Sequence, residues 1–163
     1  MKEMFDGCSS LEELNISNFI TDKVTNMKLM FKECSLLKKL DLSSFNTANV
    51  LNMGSMFQRC SSLKDLNLDN FNTDKVYNMI DMFSGCRELE KLNISNFKTY
   101  KNTDISFMFD ECLSLKELNL MNFNTYDSFY IVCIFSRSST IRIKCTNEFK
   151  NIIKNRYPNI IFE

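Results

Sequence analysis

The sequence predicts an α/β repeat solenoid in which each 26-residue repeat carries one short parallel strand and one short helix. Three observations predict this fold: five copies of one pattern, a change of apolar spacing inside each copy, and a C-terminal segment that departs from the pattern. The 163 residues suit one domain of about 100–200 residues. We expect tandem repeats over residues 1–135, with five full copies from 4 to 133, and a C-terminal cap over residues 136–163.

The repeat is visible as columns of identical or similar residues that recur every 26 positions without insertion or deletion. Met-Phe pairs begin at Met4, Met30, Met56, Met82 and Met108. A cysteine column comprises Cys8, Cys34, Cys60, Cys86 and Cys112. A phenylalanine column comprises Phe19, Phe45, Phe71, Phe97 and Phe123, and a threonine column comprises Thr21, Thr47, Thr73, Thr99 and Thr125. Such periodicity is the sequence signature of a repeat architecture.

Within one repeat the apolar spacing changes from helical to strand-like. Apolar residues in steps of three, three, one and three form the stripe of an amphipathic helix: Val24, Met27, Met30, Phe31 and Cys34. Leu14 and Ile16 then alternate with polar residues, as in a strand. A polar turn separates the two elements, and either Thr21 or Asp22 is placed to cap the following helix. Stacked copies should join these strands into one parallel sheet.

The two ends of the repeat region differ. The column of Met27, Met53 and Met79 extends back to Met1, so the chain begins inside a repeat. We expect either a longer natural array or an N-terminal repeat covered by another chain, which includes self-association at that uncapped end. At the other end, residues 140–144 predict a strand, residues 146–157 a helix and residues 160–162 a last strand.

Composition excludes several classes of function. Twenty basic and twenty acidic residues give a net charge of zero, whereas nucleic-acid binders and polybasic membrane modules carry a basic excess. No apolar stretch reaches the length of a membrane span, so no direct membrane insertion is expected. Histidine is absent, which removes histidine-dependent nucleophiles and metal sites. We expect no enzyme activity, catalytic residue, metal or cofactor.

The string from Met56 to Val76, MFQRCSSLKDLNLDNFNTDKV, resembles the BspA-like leucine-rich repeat family. The resemblance covers residues 1 to about 135 and implies a leucine-rich-repeat-like solenoid, part of a bacterial or protist cell-surface protein that binds ligands or mediates adhesion. The family has no catalytic residues. Phe19 and its equivalents stand where the generic leucine-rich pattern has asparagine, and the preceding positions substitute for that asparagine: Asn18, Asn70, Asn96 and Asn122.

The cysteine column admits two interpretations. Thiols in adjacent repeats could bind zinc or form disulfides. Alternatively they fill core space as small apolar residues, which is the interpretation favoured here because stacked side chains point in parallel. The methionine column is likewise assigned to the core. Cys133 and Cys145 lie outside the column, and their pairing is left open.

The outward positions of the predicted strand are the candidate binding face. One column alternates in charge: Glu13, Lys39, Asp65, Lys91 and Glu117. The other is amide-rich: Asn15, Asp41, Asn67, Asn93 and Asn119. The alternation is explained either by avoidance of like-charge neighbours or by recognition of a protein or glycan. A second candidate is an aromatic patch that breaks the repeat pattern, and it either anchors a partner or covers weakened repeats: Tyr100, Tyr126, Phe129 and Tyr130.

These observations favour a non-catalytic interaction module with an unidentified protein or glycan ligand, part of a cell-surface adhesin or ligand-binding repeat protein. The alternative is an intracellular protein–protein scaffold built on the same solenoid. The two differ in location: cell surface or secreted as part of a longer chain, or cytoplasmic if Met1 is the true start.

Overall fold

The computed structural model describes residues 1–125 and 128–163 of the chain. The regular elements are β1 (Asp65–Asn67), β2 (Lys91–Asn93), β3 (Glu117–Leu120), β4 (Ile141–Cys145), α1 (Asn147–Ile153) and β5 (Ile160–Phe162). A 3₁₀ turn occupies Ser128–Tyr130. All the strand pairs are parallel: β1 pairs with β2, and β3, β4 and β5 form a second sheet in that order. The chain is therefore an α/β protein with short parallel strands.

The predicted strand is confirmed in the third, fourth and fifth repeats, where it forms β1, β2 and β3. Each has a buried leucine between exposed neighbours, as the alternation predicts: Leu66, Leu92 and Leu118. In the first two repeats the equivalent residues, 13–15 and 39–41, are not β-strand. The prediction of one continuous sheet is wrong, because β2 and β3 also lie in separate sheets.

The prediction of a helix in every repeat is wrong as well. Over the described residues, α-helix occurs only at Asn147–Ile153. The stripe from Met27 to Cys34 is instead a run of tight turns, in which the N–H groups of Met30, Lys32 and Cys34 donate to carbonyls three residues back at 3.2–3.3 Å. We call residues 27–34, and the equivalents 26 positions away, the turn segment. Apolar residues spaced by three fit such turns as well as they fit a helix.

The remaining N–H groups of the turn segment bond to the next repeat. Those of Met27, Leu29, Phe31 and Glu33 donate to carbonyls of residues 52, 54, 56 and 58 at 2.7–3.0 Å. An α-helix is about 10–12 Å wide, whereas backbones joined by hydrogen bonds lie about 4.8 Å apart. Helices in adjacent repeats would therefore force these backbones apart, and the inter-repeat bonds would be lost.

Left-handed backbone conformations make this bonding pattern possible. Leu29 has a φ of 62° and Glu33 a φ of 60°, and positive φ recurs at both positions in the neighbouring turn segments. A left-handed non-glycine residue costs about 1–2 kcal/mol, and it persists where the surrounding structure over-determines it. Here the inter-repeat hydrogen bonds fix the conformation. Gly7 and Gly85 occupy the Glu33 position in two other turn segments and adopt it without that cost.

The threonine column links the repeats through its side chains. Thr73 is 1% exposed; its Oγ1 donates to the carbonyl of Lys98 at 2.9 Å and accepts the N–H of the same residue at 2.8 Å. Thr21 and Thr47 make the same pair of bonds to Asn46 and Asn72. These threonines therefore bridge repeats, and the expectation that Thr21 or Asp22 caps a helix is wrong because no helix follows.

Asparagines provide another link, as predicted for the position before the phenylalanine column. The Asn70 amide donates to the carbonyls of Leu42 and Phe45 at 3.0 and 2.7 Å, and Asn96 repeats these bonds one repeat later. The Asn122 amide donates to the Ser95 carbonyl at 2.8 Å. These amides thus bind backbone of the preceding repeat in place of the generic asparagine.

The core is a set of ladders of identical side chains. Phe31, Phe57, Phe83 and Phe109 are fully buried and stack on one another with ring centroids 5.7–5.8 Å apart. From the second repeat onward the methionines of the turn segments are also fully buried, which confirms their assignment to the core there: Met27, Met30, Met53, Met56, Met79, Met82 and Met108. In the first repeat the assignment fails, because Met4 is 49% exposed and Met1 is half-buried.

The cysteine column is confirmed as core from the second repeat onward. Cys34, Cys60, Cys86 and Cys112 are fully buried and free, whereas Cys8 is exposed. The Cys60 thiol donates to the Phe31 carbonyl of the preceding repeat at 3.1 Å, and the other three buried thiols bond alike. Ser138 continues the column, and its hydroxyl donates to the Phe109 carbonyl. Burial raises the pKa of Cys34 to about 11 and that of Cys60 well above its usual range.

The C-terminal segment has the predicted order of strand, helix and strand, in β4, α1 and β5. Thr146 is the N-cap of α1, because its side chain accepts the N–H of Phe149 at 3.2 Å. The helix is shorter than predicted and ends at Ile153. Tyr157 meets Phe135 edge-on, with an angle of 87° between the rings, so the parallel phenylalanine stack ends there.

Replacing Thr73 with valine should destabilise the protein by about 2 kcal/mol, because the shape is kept while the N–H and carbonyl of Lys98 lose their partner. Thr73→Ser keeps the hydroxyl and should cost only about 1 kcal/mol for the lost methyl group. Urea unfolding followed by circular dichroism measures both. A valine variant as stable as the serine variant would contradict the bridging role.

The buried thiols predict a loss of stability at alkaline pH. A thiol of the unfolded chain ionises near pH 9.0, while Cys34 holds its proton up to a pKa of about 11. The free energy of unfolding should therefore fall as the pH rises above 9.0, by up to about 1.4 kcal/mol per pH unit for each thiol that stays protonated in the folded state. Cys60→Ser should show a shallower fall in urea titrations between pH 8 and 10, and an unchanged slope would refute this cause.

Candidate binding surface

The strand face comprises the exposed side chains that flank the buried leucine of each strand, together with their equivalents in the first two repeats. Alternate strand residues point to opposite sides, which is why these positions face solvent. The ten predicted face residues are all exposed. Pairing of β1 with β2 places Asp65 beside Lys91 and Asn67 beside Asn93. The structure thus brings the central members of both predicted columns together.

The cap extends both columns by one position. Pairing of β3 with β4 places Arg142 beside Glu117 and Lys144 beside Asn119, and both basic side chains are exposed. Sequence reasoning missed these two residues. Apolar and basic residues alternate over residues 141–145, IRIKC, and in a strand this alternation places both basic side chains on the same face. We call the six residues with alternating sign the charge column: Glu13, Lys39, Asp65, Lys91, Glu117 and Arg142.

The charge column takes little part in the ion pairs of its own chain. Within the described residues, Arg142 is its only member in an ion pair, at 3.3 Å from Glu163. Ion pairs between repeats use other positions, such as Lys38–Glu12 at 2.9 Å and Lys64–Glu88 at 3.8 Å. The hydrogen bond to Glu12 raises the pKa of Lys38. Five charges of the column therefore remain directed at solvent, and avoidance of like-charge neighbours stays a prediction.

The amide column has a structural task in addition to any binding role. In every repeat its side-chain oxygen accepts the N–H two residues on, at 2.9–3.2 Å, and so forms a turn that ends the strand segment. This backbone hydrogen bond lowers the pKa of Asp41. Over the described residues, the side-chain N–H groups of Asn15, Asn67 and Asn119 have no acceptor in the protein. The column therefore offers donors more than acceptors to a ligand.

Grooves lie on the strand face where neighbouring strand segments are not paired. One of about 750 Å³ lies between the second and third repeats, with Lys39, Leu40 and Asp65 in its lining. Another of about 590 Å³ lies between the first and second repeats, and a third of about 380 Å³ reaches Arg142 and Lys144 from the fourth repeat. The face is consequently indented and able to receive protruding side chains.

The aromatic patch is only partly described. Tyr126 lies outside the described residues. Tyr100 is 49% exposed and its hydroxyl donates to Asp74 at 3.3 Å, Phe129 is 80% exposed, and Tyr130 is half-buried. Tyr77, which sequence reasoning missed, is 56% exposed. Its position could have been noticed because it holds threonine, leucine and tyrosine in successive repeats.

Three further features of the described part of the chain concern metal binding, the two cysteines outside the column, and membrane-spanning helices. No group of three or more acidic, cysteine or histidine side chains there is arranged to hold a metal ion. Cys133 and Cys145 are separate, half-buried thiols. None of the described helices combines the length and apolar character needed to cross a bilayer.

The comparison with known families agrees with the internal repetition. The family described as "Mycoplasma protein of unknown function, DUF285" matches residues 1–68 and again residues 64–152. No curated protein and no solved structure matches the chain. Because the two matches together span most of the sequence, the chain belongs to the DUF285 family.

Proposed function

We propose that this chain is a non-catalytic interaction module that binds a protein or a glycan through the strand face. The observation that carries the proposal is the charge column: five exposed charges of alternating sign, at equivalent positions in successive repeats, form no ion pair within the described chain. Surface charges held on a regular backbone give a partner fixed positions to match, which favours specificity and fast association.

The proposed architecture is a leucine-rich-repeat-like solenoid of the BspA-like kind. Its support is the recurrence of the same contacts between neighbouring repeats: turn-segment hydrogen bonds, threonine bridges and stacked phenylalanines. In such arrays each repeat contacts mainly its neighbours, so side chains at one position form a long, regular surface. The turn segment takes the place that a helix has in the predicted repeat.

Location at the cell surface is a separate part of the proposal and is supported by the resemblance to BspA-like proteins. In intact cells of the source organism, a membrane-impermeant lysine reagent should label the protein to the extent seen in lysed cells. A cytosolic enzyme probed in the same sample is the control for leakage. Labelling only after lysis would contradict surface exposure and favour an intracellular scaffold.

Reversing two charges of the face should abolish binding without unfolding. The purified chain would be applied to an array of secreted and cell-surface proteins and to a glycan array, followed by Lys39→Glu/Lys91→Glu. Spots bound by the parent should lose at least about 90% of their signal, since each reversal turns an attraction into a repulsion of similar size. The matched control is Lys23→Glu/Lys101→Glu, at exposed lysines away from the face.

The circular dichroism spectrum and unfolding midpoint of both double variants should stay close to those of the parent. Parent-level binding by the Lys39→Glu/Lys91→Glu variant, or equal loss in the control, would rule out the strand face as the binding surface.

A further inference from the structure

The order of signs in the charge column has a symmetry property. From Glu13 to Arg142 the signs run minus, plus, minus, plus, minus, plus, and the register of β3 with β4 sets the last position. When an alternating series with an even number of charges is reversed and laid against itself, each negative charge lies opposite a positive one. Two copies of this face brought together in opposite directions therefore meet with opposite charges at every position.

We propose that the strand face binds a second copy of this chain in antiparallel orientation, about a twofold axis parallel to the strands. The proposal rests on the proposed function, because it names the partner of the same surface. It pairs Lys39 with Glu117 and Asp65 with Lys91 of the other copy, and Glu13 with Arg142, which also lies 3.3 Å from Glu163 of its own chain. Twofold symmetry repeats each pair, and the axis passes between β1 and β2, where the strands are hydrogen-bonded.

The amide column fits the same arrangement. Reversal places Asn15 opposite Lys144, Asp41 opposite Asn119, and Asn67 opposite Asn93. No two like charges meet in this column. The Asp41 carboxylate can accept the Asn119 amide N–H and the Asn93 oxygen that of Asn67, whereas Asn15 would use its oxygen to accept from Lys144. A parallel arrangement of the two copies would instead set every charge of the charge column against an identical one.

The residues that directly precede the charge column contribute little net attraction or repulsion between the two copies: Lys38, Lys64, Glu90 and Lys116. Lys64 would face Glu90 of the other copy, which is attractive, and Lys38 would face Lys116, which is repulsive. Both effects are reduced, because Lys38 lies 2.9 Å from a Glu12 oxygen and Lys64 lies 3.8 Å from a Glu88 oxygen in its own chain. The charge column therefore decides the orientation.

The interface is polar, so the expected dimer is weak and dependent on salt. Ion pairs between exposed side chains are individually weak, and the screening length falls from about 10 Å at 0.1 M salt to about 3 Å at 1 M. Sedimentation velocity of the purified chain at low salt should show a monomer–dimer equilibrium. Its dissociation constant should rise at least about tenfold when the ionic strength is increased tenfold.

Charge exchange at the centre of the face tests the orientation. Asp65→Lys alone and Lys91→Glu alone should each be monomeric, because each homodimer would contain two like-charge contacts. A mixture of these two variants should form a heterodimer, since the two substituted side chains then attract each other across the interface, as do the unchanged Asp65 and Lys91. Repulsion inside one chain cannot explain such a rescue, because mixing does not change it. Lys101→Glu, at an exposed lysine away from the face, is the control and should dimerise like the parent.

A parent chain that is monomeric at several hundred micromolar and low salt would overturn the proposal, as would single variants that still dimerise or a mixture that stays monomeric. These outcomes leave the proposed function testable by itself. If the parent is monomeric but its array signals still depend on Lys39 and Lys91, the strand face binds a different partner and only the antiparallel pairing fails.

Discussion

Backbone hydrogen bonds from alternate N–H groups of one turn segment to carbonyls of the next are the constraint on which the rest of this structure depends. They hold neighbouring repeats at the separation of paired strands, and that separation leaves no room for a helix. The same spacing stacks the phenylalanine rings and brings each buried thiol to the Phe carbonyl of the preceding repeat. Loss of these bonds would therefore disturb the core as well as the backbone.

The sequence was informative wherever one chain segment determines its own structure. The strand alternation around Leu66 and the elements of the cap were predictable because burial follows a local period there. The turn segment was not predictable, because apolar residues three apart suit both a helix and turns whose N–H groups donate to the carbonyl three residues back. Only Gly7 and Gly85, at positions of positive φ, hinted at left-handed backbone.

The strand face was predictable in the repeats and not in the cap for a related reason. Asp65 and Lys91 are 26 residues apart, whereas Glu117 and its neighbour Arg142 are 25 apart, so the cap leaves the repeat period while keeping the ladder. The interruptions of the sheet were also invisible in the sequence, since they depend on how closely neighbouring repeats approach. The structure therefore added Arg142 and Lys144 to the face, together with the grooves.

The hydrogen bonds that join one turn segment to the next share a direction: their N–H groups point toward the following repeat and their carbonyls toward the preceding one. Peptide dipoles aligned in this way add up, as they do along an α-helix, to partial charges at the two ends. The backbone of the turn segments thus contributes a dipole whose positive end points toward the C-terminal repeats. Two such sets of turn segments side by side are favoured when they run in opposite directions, because their backbone dipoles then oppose each other.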